Sequence, residues 1–354
     1  KKLFQQRILK NRQGRKPRPA FQEKTMEDGM MDTQQIHHKD GIANESTGPE
    51  SVVNLHACQA LGEGSETSLL LHCSASTGGQ WNSLGQHLAQ QQRVLLPDLF
   101  GHGNSQPWHG QSAYVLEQEI GALLHLLERT DAPIHLVGHS YGGALALMLA
   151  LRLPQRLRSL TLIEPVAPFI LRPDNAAERY PLEQLHQLAR TVQTALLEGN
   201  DWAGMKFFID YWNGAGSWDQ LSEQRQAAYA QHIRAISQHF QAVFSAQVEP
   251  CELRELRVPT LLLRGDRSPM PARYIADKLA ATLPSVSYQI IARAGHMMPL
   301  SHATAVNTLI CAHIQRNSSQ STQSSSLAAS LSPAAWHWLR QDSLPVWADR
   351  AVAA

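Results

Sequence analysis

The 354-residue sequence is short of the features that most readily betray a function. It has four cysteines, Cys58, Cys73, Cys251 and Cys311, far apart and without a C-x-x-C pair. That spacing excludes a zinc knot and a dense disulfide framework. Free thiols in a reducing compartment are expected instead, and with them a cytoplasmic location. No apolar run reaches ~18 residues, so no membrane-spanning helix is predicted. The formal net charge is only +1, which argues against a general nucleic-acid binder. There are 17 histidines, but no H-E-x-x-H and no H-x-H, so no metal site is expected. Residues 1–24 carry many Lys and Arg and one acid, Glu23, and lack the apolar centre of a secretory signal. Residues 1–50 therefore read as an unfolded basic extension. It is either a targeting segment or a read-through ahead of a start at Met26, Met30 or Met31.

What is present points to a folded core, with 43% hydrophobic and 17% charged residues. Folded structure is expected from about Ser51, with an early strand within 52–60. The apolar runs 68–72, 94–96, 134–137 and 157–164 read as buried strands. Segments 80–90, 113–129 and 144–151 between them read as helices. Strand and helix in alternation imply α/β architecture, a mostly parallel sheet covered by helices on both faces. The alternation stops over residues 169–244, where only helical patterns occur. Trp202, Phe207, Phe208, Tyr211, Trp212, Trp218 and Tyr229 fall there. It resumes with strands at 260–264 and 286–291 and helices at 272–283 and 300–315. The chain thus divides into sheet-core segments 51–168 and 245–316, an inserted helical cap 169–244, and a Ser/Gln-rich linker and tail 317–354.

One stretch organises the rest. Gly138-His139-Ser140-Tyr141-Gly142-Gly143 lies between a buried strand and an Ala/Leu-rich helix. A serine on so sharp a turn is expected to be backbone-strained, with small neighbours two residues away. Its hydroxyl then stands clear of the sheet, beside the first N–H groups of the helix. Such a nucleophile needs a base, and the base an orienting acid. Two loops at strand ends supply them: Asp266 after Leu262-Leu263-Arg264-Gly265, and His296 in Gly295-His296-Met297-Met298-Pro299. Glu164 also ends a strand near the elbow and is the alternative acid. His139 is expected to pack, and His102 to bond locally in a turn. Cys73 has no elbow and is rejected as a nucleophile.

With these motifs the sequence resembles the α/β-hydrolase-fold serine hydrolases of the esterase/lipase type. The elbow, the acid loop, the histidine loop and the turn Asp98-Leu99-Phe100-Gly101-His102-Gly103-Asn104-Ser105 carry the resemblance, over about residues 51–316. It implies a catalytic set of Ser140, Asp266 and His296 and no cofactor. It also implies an oxyanion hole from the backbone N–H groups of Tyr141 and Ser74. Ser74 takes that place by position, because Cys73 stands where the family has glycine after the histidine. The implied activity is hydrolysis of a small-molecule carboxylic ester of short to medium acyl chain, with Phe207, Tyr211 and Trp212 walling the pocket. A carbon–carbon bond hydrolase, a perhydrolase, and a non-catalytic binding protein of the same fold are the alternatives.

Overall fold

The computed structural model describes residues 56–110, 113–128 and 130–318. The expectations for the basic extension and for the tail beyond Ser318 lie outside these residues. Seven strands form one sheet: β1 (Cys58–Leu61), β2 (Thr67–Leu71), β3 (Arg93–Pro97), β4 (Ile134–His139), β5 (Leu157–Ile163), β6 (Thr260–Gly265) and β7 (Val286–Ile291). Their spatial order is β1-β3-β2-β4-β5-β6-β7. Only β1 runs antiparallel, against β3; the other pairings are parallel.

The helices, in chain order, are α1 (Asn82–Leu88), α2 (Leu116–Leu127), α3 (Tyr141–Arg152), α4 (Ala176–Leu197), α5 (Asp201–Asn213), α6 (Glu223–Ala230), α7 (Ile233–Ser245), α8 (Pro250–Glu255), α9 (Met270–Thr282), α10 (Met298–Ser301) and α11 (Ala303–Asn317). Helices α4 to α8 form a wholly helical insertion between β5 and β6. None of the described helices is long and apolar enough to cross a membrane.

Alternation along the strands decides which core each residue enters. Leu69 and Leu71 of β2 and Leu262 of β6 join α2, α3 and α9 on one face. Leu70, Leu261 and Leu263 join α1 and α11 on the other. Both faces are thus covered, so β2, β3 and β6 carry apolar runs, whereas the edge strand β7 alternates. Helix α2 starts three residues later than the apolar spacing predicts. The Gln118 side chain accepts the Val115 N–H at 2.8 Å and satisfies an end donor there. Helix α11 runs on to Asn317, two residues past its expected end.

Strands β2, β4, β5, β6 and β7 all point the same way, so their carboxyl ends share one edge. The chain moves from β2 outward to β3, then crosses back to β4 on the other side of β2. The crevice outside the β2 and β4 ends is therefore the switch point, where open α/β sheets bind ligands.

Candidate active site

Ser140 sits immediately past β4 with φ 57° and ψ −116°. Helix α3 begins at the next residue, and this abruptness forces the left-handed conformation. The close approach leaves no room for side chains nearby. A Cβ at Gly138 would lie 2.2 Å from the Gly142 carbonyl oxygen, and one at Gly142 would lie 2.5 Å from the Leu71 and His72 oxygens. The turn is tied to β5 by backbone: Ser140 N–H donates to the Ile163 carbonyl, and Val166 N–H donates to the Ser140 carbonyl, both at 3.0 Å.

The Ser140 hydroxyl meets His296 Nε2 at 2.9 Å. His296 Nδ1 in turn meets Glu164 Oε2 at 2.7 Å. The carboxylate behind the histidine is that of Glu164, where the sequence predicts Asp266. Glu164 has no exposure at all. Its second oxygen, Oε1, accepts the Gly265 N–H at 2.7 Å. That bond ties the Glu164 carboxylate to the end of β6, one residue before Asp266. Asp266 is exposed at the rim. Its N–H donates to the Ile291 carbonyl, and its charge acts on His302.

Backbone strain marks the same edge. Among the described residues, the non-glycines with left-handed φ are Ala75, Ser140, Glu164 and Arg293. Each lies in a loop after β2, β4, β5 or β7 at the carboxyl edge. Such conformations cost on the order of 1–3 kcal/mol and concentrate where a site requires them. At Glu164 (φ 42°) the strain turns the strand-end side chain toward the histidine.

Three buried histidines hold the neighbouring loops. His139, the residue before Ser140, donates from Nε2 to the His296 carbonyl at 2.9 Å. Its Nδ1 accepts from the Gln80 amide at 3.2 Å. His72 donates from Nδ1 to the Cys73 carbonyl at 2.7 Å, and its Nε2 accepts the Leu99 N–H at 2.9 Å. His102 donates from Nδ1 to the Phe100 carbonyl, and its Nε2 accepts the Ala75 N–H at 3.0 Å. His102 therefore bonds locally, as expected, and also pins the loop that carries Ser74. Burial lowers the pKa of all three, that of His72 to about 4, so they are neutral and can play this double role. Asp98 is structural: it accepts the N–H groups of Gly78 (2.8 Å) and Asn104 (2.9 Å).

Tyr141, as the first residue of α3, has no carbonyl within its own helix to accept its N–H. Two cavities meet at Ser140, and Ser74, Ser140, Phe208 and Trp212 line both. The larger, about 620 Å³ including its open mouth, is further lined by His296, Met297, Leu300, Asn213, Ser217 and Tyr229. The smaller, about 270 Å³, has Tyr141, Val166, Ile236, His239, Phe240 and Val243. Trp212 lies over His296, ring centroids 4.1 Å apart. Of the aromatics predicted to wall the pocket, Trp212 alone lines it. Phe207 is 40% exposed and Tyr211 lines neither cavity. A helix turns 100° per residue, so on α5 the inward pair is Phe208 and Trp212, four apart, and Phe207 and Tyr211 fall on the adjacent strip. Cys73 lines the larger cavity, but burial pushes its thiol up to about 12, which leaves it inert.

The pimeloyl-[acyl-carrier protein] methyl ester esterase of Nitrosospira multiformis is 27% identical over 258 residues, 69% of this chain and 92% of that one. The 2-hydroxymuconate semialdehyde hydrolase of Pseudomonas putida is 27% identical over 262 residues, 69% and 85% of the two chains. Among solved structures, a thermophilic esterase from Thermogutta terrifontis superposes with a TM-score of 0.58 at 22% identity, covering 73% of this chain and 93% of its own. A family model described as alpha/beta hydrolase fold matches residues 69–303, well over half the chain. Sheet order, elbow and family match agree, and the chain is a member of the alpha/beta hydrolase fold family of hydrolases.

Proposed function

We propose that the protein is a serine hydrolase of carboxylic esters, acting through an acyl-enzyme. One observation carries this reading: the unbroken hydrogen-bonded line from Ser140 through His296 to Glu164, opening on two cavities that meet at the serine. Ser140 Oγ attacks the acyl carbon while His296 Nε2 takes its proton. Charge gathers on the carbonyl oxygen, which the N–H groups of Tyr141 and Ser74 receive; donors of this kind contribute roughly 3–4 kcal/mol each. The tetrahedral adduct collapses, and His296 hands the proton to the departing alcohol oxygen. Water then adds by the same route and releases the acid. Glu164 holds the Nδ1–H tautomer of His296 throughout. Asp266 has no part in this.

The proton path also assigns the cavities. The leaving oxygen must receive its proton from His296, so the alcohol occupies the larger cavity, which His296 lines. The acyl group then lies on the Tyr141 and Val166 side, in the smaller cavity. Short acyl chains on bulkier alcohols fit this division. Neither cavity is lined by Lys or Arg, which favours neutral esters over anionic ring-cleavage products such as a muconate. The helical insertion acts as a cap that sets substrate choice through Phe208 and Trp212.

A two-way ester panel tests the reading, with acyl length varied against a fixed alcohol and alcohol size against a fixed acetyl. Turnover is expected to fall steeply with acyl length beyond about six carbons and weakly with alcohol size. The opposite pattern sinks the cavity assignment. Full activity of purified Ser140→Ala sinks the mechanism.

A further inference from the structure

One side chain of the insertion reaches the nucleophile's surroundings without a role in the reaction just described. His239, on α7, is 3% exposed. It lies flat against Tyr141, ring centroids 3.6 Å apart and planes within 8°. On the other side it stacks on His102 at 5.0 Å. Its Nδ1 is 2.8 Å from the Ser74 hydroxyl oxygen. Its Nε2 is buried and has no hydrogen-bond partner among the described residues.

The orphaned nitrogen decides the tautomer. Two arrangements satisfy the 2.8 Å contact. Either the serine hydroxyl donates to Nδ1, and Nε2 carries a buried N–H with nothing to donate to, or Nδ1–H donates to the serine oxygen, and only a lone pair is left unused at Nε2. Orphaned buried donors are the rarer and costlier case. His239 is also neutral, because burial and the neighbouring His72 and His232 hold its pKa well below the usual value. The Nδ1–H form is therefore favoured. The Ser74 oxygen is then occupied as an acceptor, and its own proton remains free to point elsewhere.

Ser74 lines both cavities together with Ser140. The loop that carries it is fixed on either side: Cys73 N–H donates to Gln80 at 3.1 Å, and Ala75 N–H to His102 at 3.0 Å. From this arrangement we infer that the Ser74 hydroxyl is a third oxyanion donor, aimed into the site by His239. This rests on the serine-hydrolase reading above. In the tetrahedral adduct the hydroxyl donates to the same oxygen as the Ser74 and Tyr141 N–H groups, and no bond to Ser74 forms or breaks. Ser74 is thereby a catalytic residue, and His239 is a positioning residue that acts through it. Helix α7 is thus a working part of the reaction centre as well as a wall.

The test is the rate at which diisopropyl fluorophosphate phosphylates Ser140, followed by intact-protein mass spectrometry. Turnover of p-nitrophenyl butyrate is measured alongside. Labelling develops the same oxyanion whatever the natural substrate is. Ser74→Ala is expected to lower the labelling rate and kcat on the order of 100- to 1,000-fold, with KM and melting temperature little changed. Ser74→Thr, which keeps the hydroxyl, is expected to restore most of the rate. His239→Leu should match Ser74→Ala, and the double variant should be no slower than either. His239→Asn, whose amide can donate from the Nδ1 position, should stay close to wild type. Wild-type labelling by Ser74→Ala overturns the proposal and leaves the hydrolase reading standing. A His239→Asn as slow as His239→Leu overturns the aiming role. A wild-type protein that is never labelled at Ser140 overturns the nucleophile itself, and the proposal with it.

Discussion

Replacing Glu164 by glutamine tests the site most sharply, because the structure fixes how the amide must sit. Glu164 Oε1 accepts from Gly265 N–H and Oε2 faces His296 Nδ1. Glutamine has one oxygen and one NH2. The backbone N–H of Gly265 demands an acceptor, so the oxygen stays there and the NH2 turns to His296. The histidine must then accept at Nδ1 and carry its proton on Nε2, the atom that faces Ser140. In that tautomer it cannot take the serine proton. The corresponding acid-to-amide change in a serine protease triad costs about 10⁴ in kcat, or about 5.4 kcal/mol at roughly 1.36 kcal/mol per decade. A loss of that order is expected here, with KM and melting temperature nearly unchanged, because shape and hydrogen-bond count are conserved. The assay is steady-state ester hydrolysis, run in parallel on Asp266→Asn. Asp266 is exposed, so its variant should stay within about twofold to threefold of wild type. An active Glu164→Gln with an inactive Asp266→Asn refutes the assignment.

Other expectations follow from the same geometry. Phe208→Ala and Trp212→Ala should change the shape of the acyl and alcohol profiles, whereas Phe207→Ala should not; identical profiles in all three would count against the pocket lining. Gly142→Ala should be expressed poorly or inactive, since the added Cβ would meet two backbone oxygens at 2.5 Å; normal turnover would contradict the close packing. Stability should fall with acid. His72 titrates at about 4 when folded against an ordinary 6.5, so between those values the unfolded chain binds the proton that the folded chain refuses. The contribution is intact above pH 6.5 and is lost toward pH 4, at about 1.4 kcal/mol per pH unit for each such histidine. Burial acts in the same direction on His102, His139 and His239. A melting temperature that stays flat from pH 7.5 to 5 would refute this.

The sheet was legible because the inner strands carry short apolar runs, such as Leu69–Leu71, Val94–Leu96 and Leu261–Leu263, that end in glycine-rich or polar loops. The elbow was legible because glycine at 138, 142 and 143 is a steric demand written directly in the chain. The acid was not. Glu164 and Asp266 both end buried strands, and the likeness of residues 262–266 to the family's acid loop favoured Asp266. What separates them is a left-handed φ at Glu164 and a single backbone N–H, from Gly265, neither of which leaves a mark in residue type. The pocket failed for a different reason: on α5 five of the seven residues from 206 to 212 are apolar or aromatic, so residue type does not say which of them faces the site. Phe208 and His239 were overlooked because only the docking of the insertion onto the sheet brings them to Ser140.

The backbone bonds at the elbow have a mechanical consequence. Ser140 donates to the carbonyl of residue 163 and accepts from the N–H of residue 166, so it brackets Glu164 between its own two amide groups. Ser140 and Glu164 are thus tied together through the backbone. Only the base comes from elsewhere, on the loop after β7, moored by the carbonyl bond that His139 makes to it. Any slack in the reaction centre is slack of His296 alone, along the single coordinate that carries the proton.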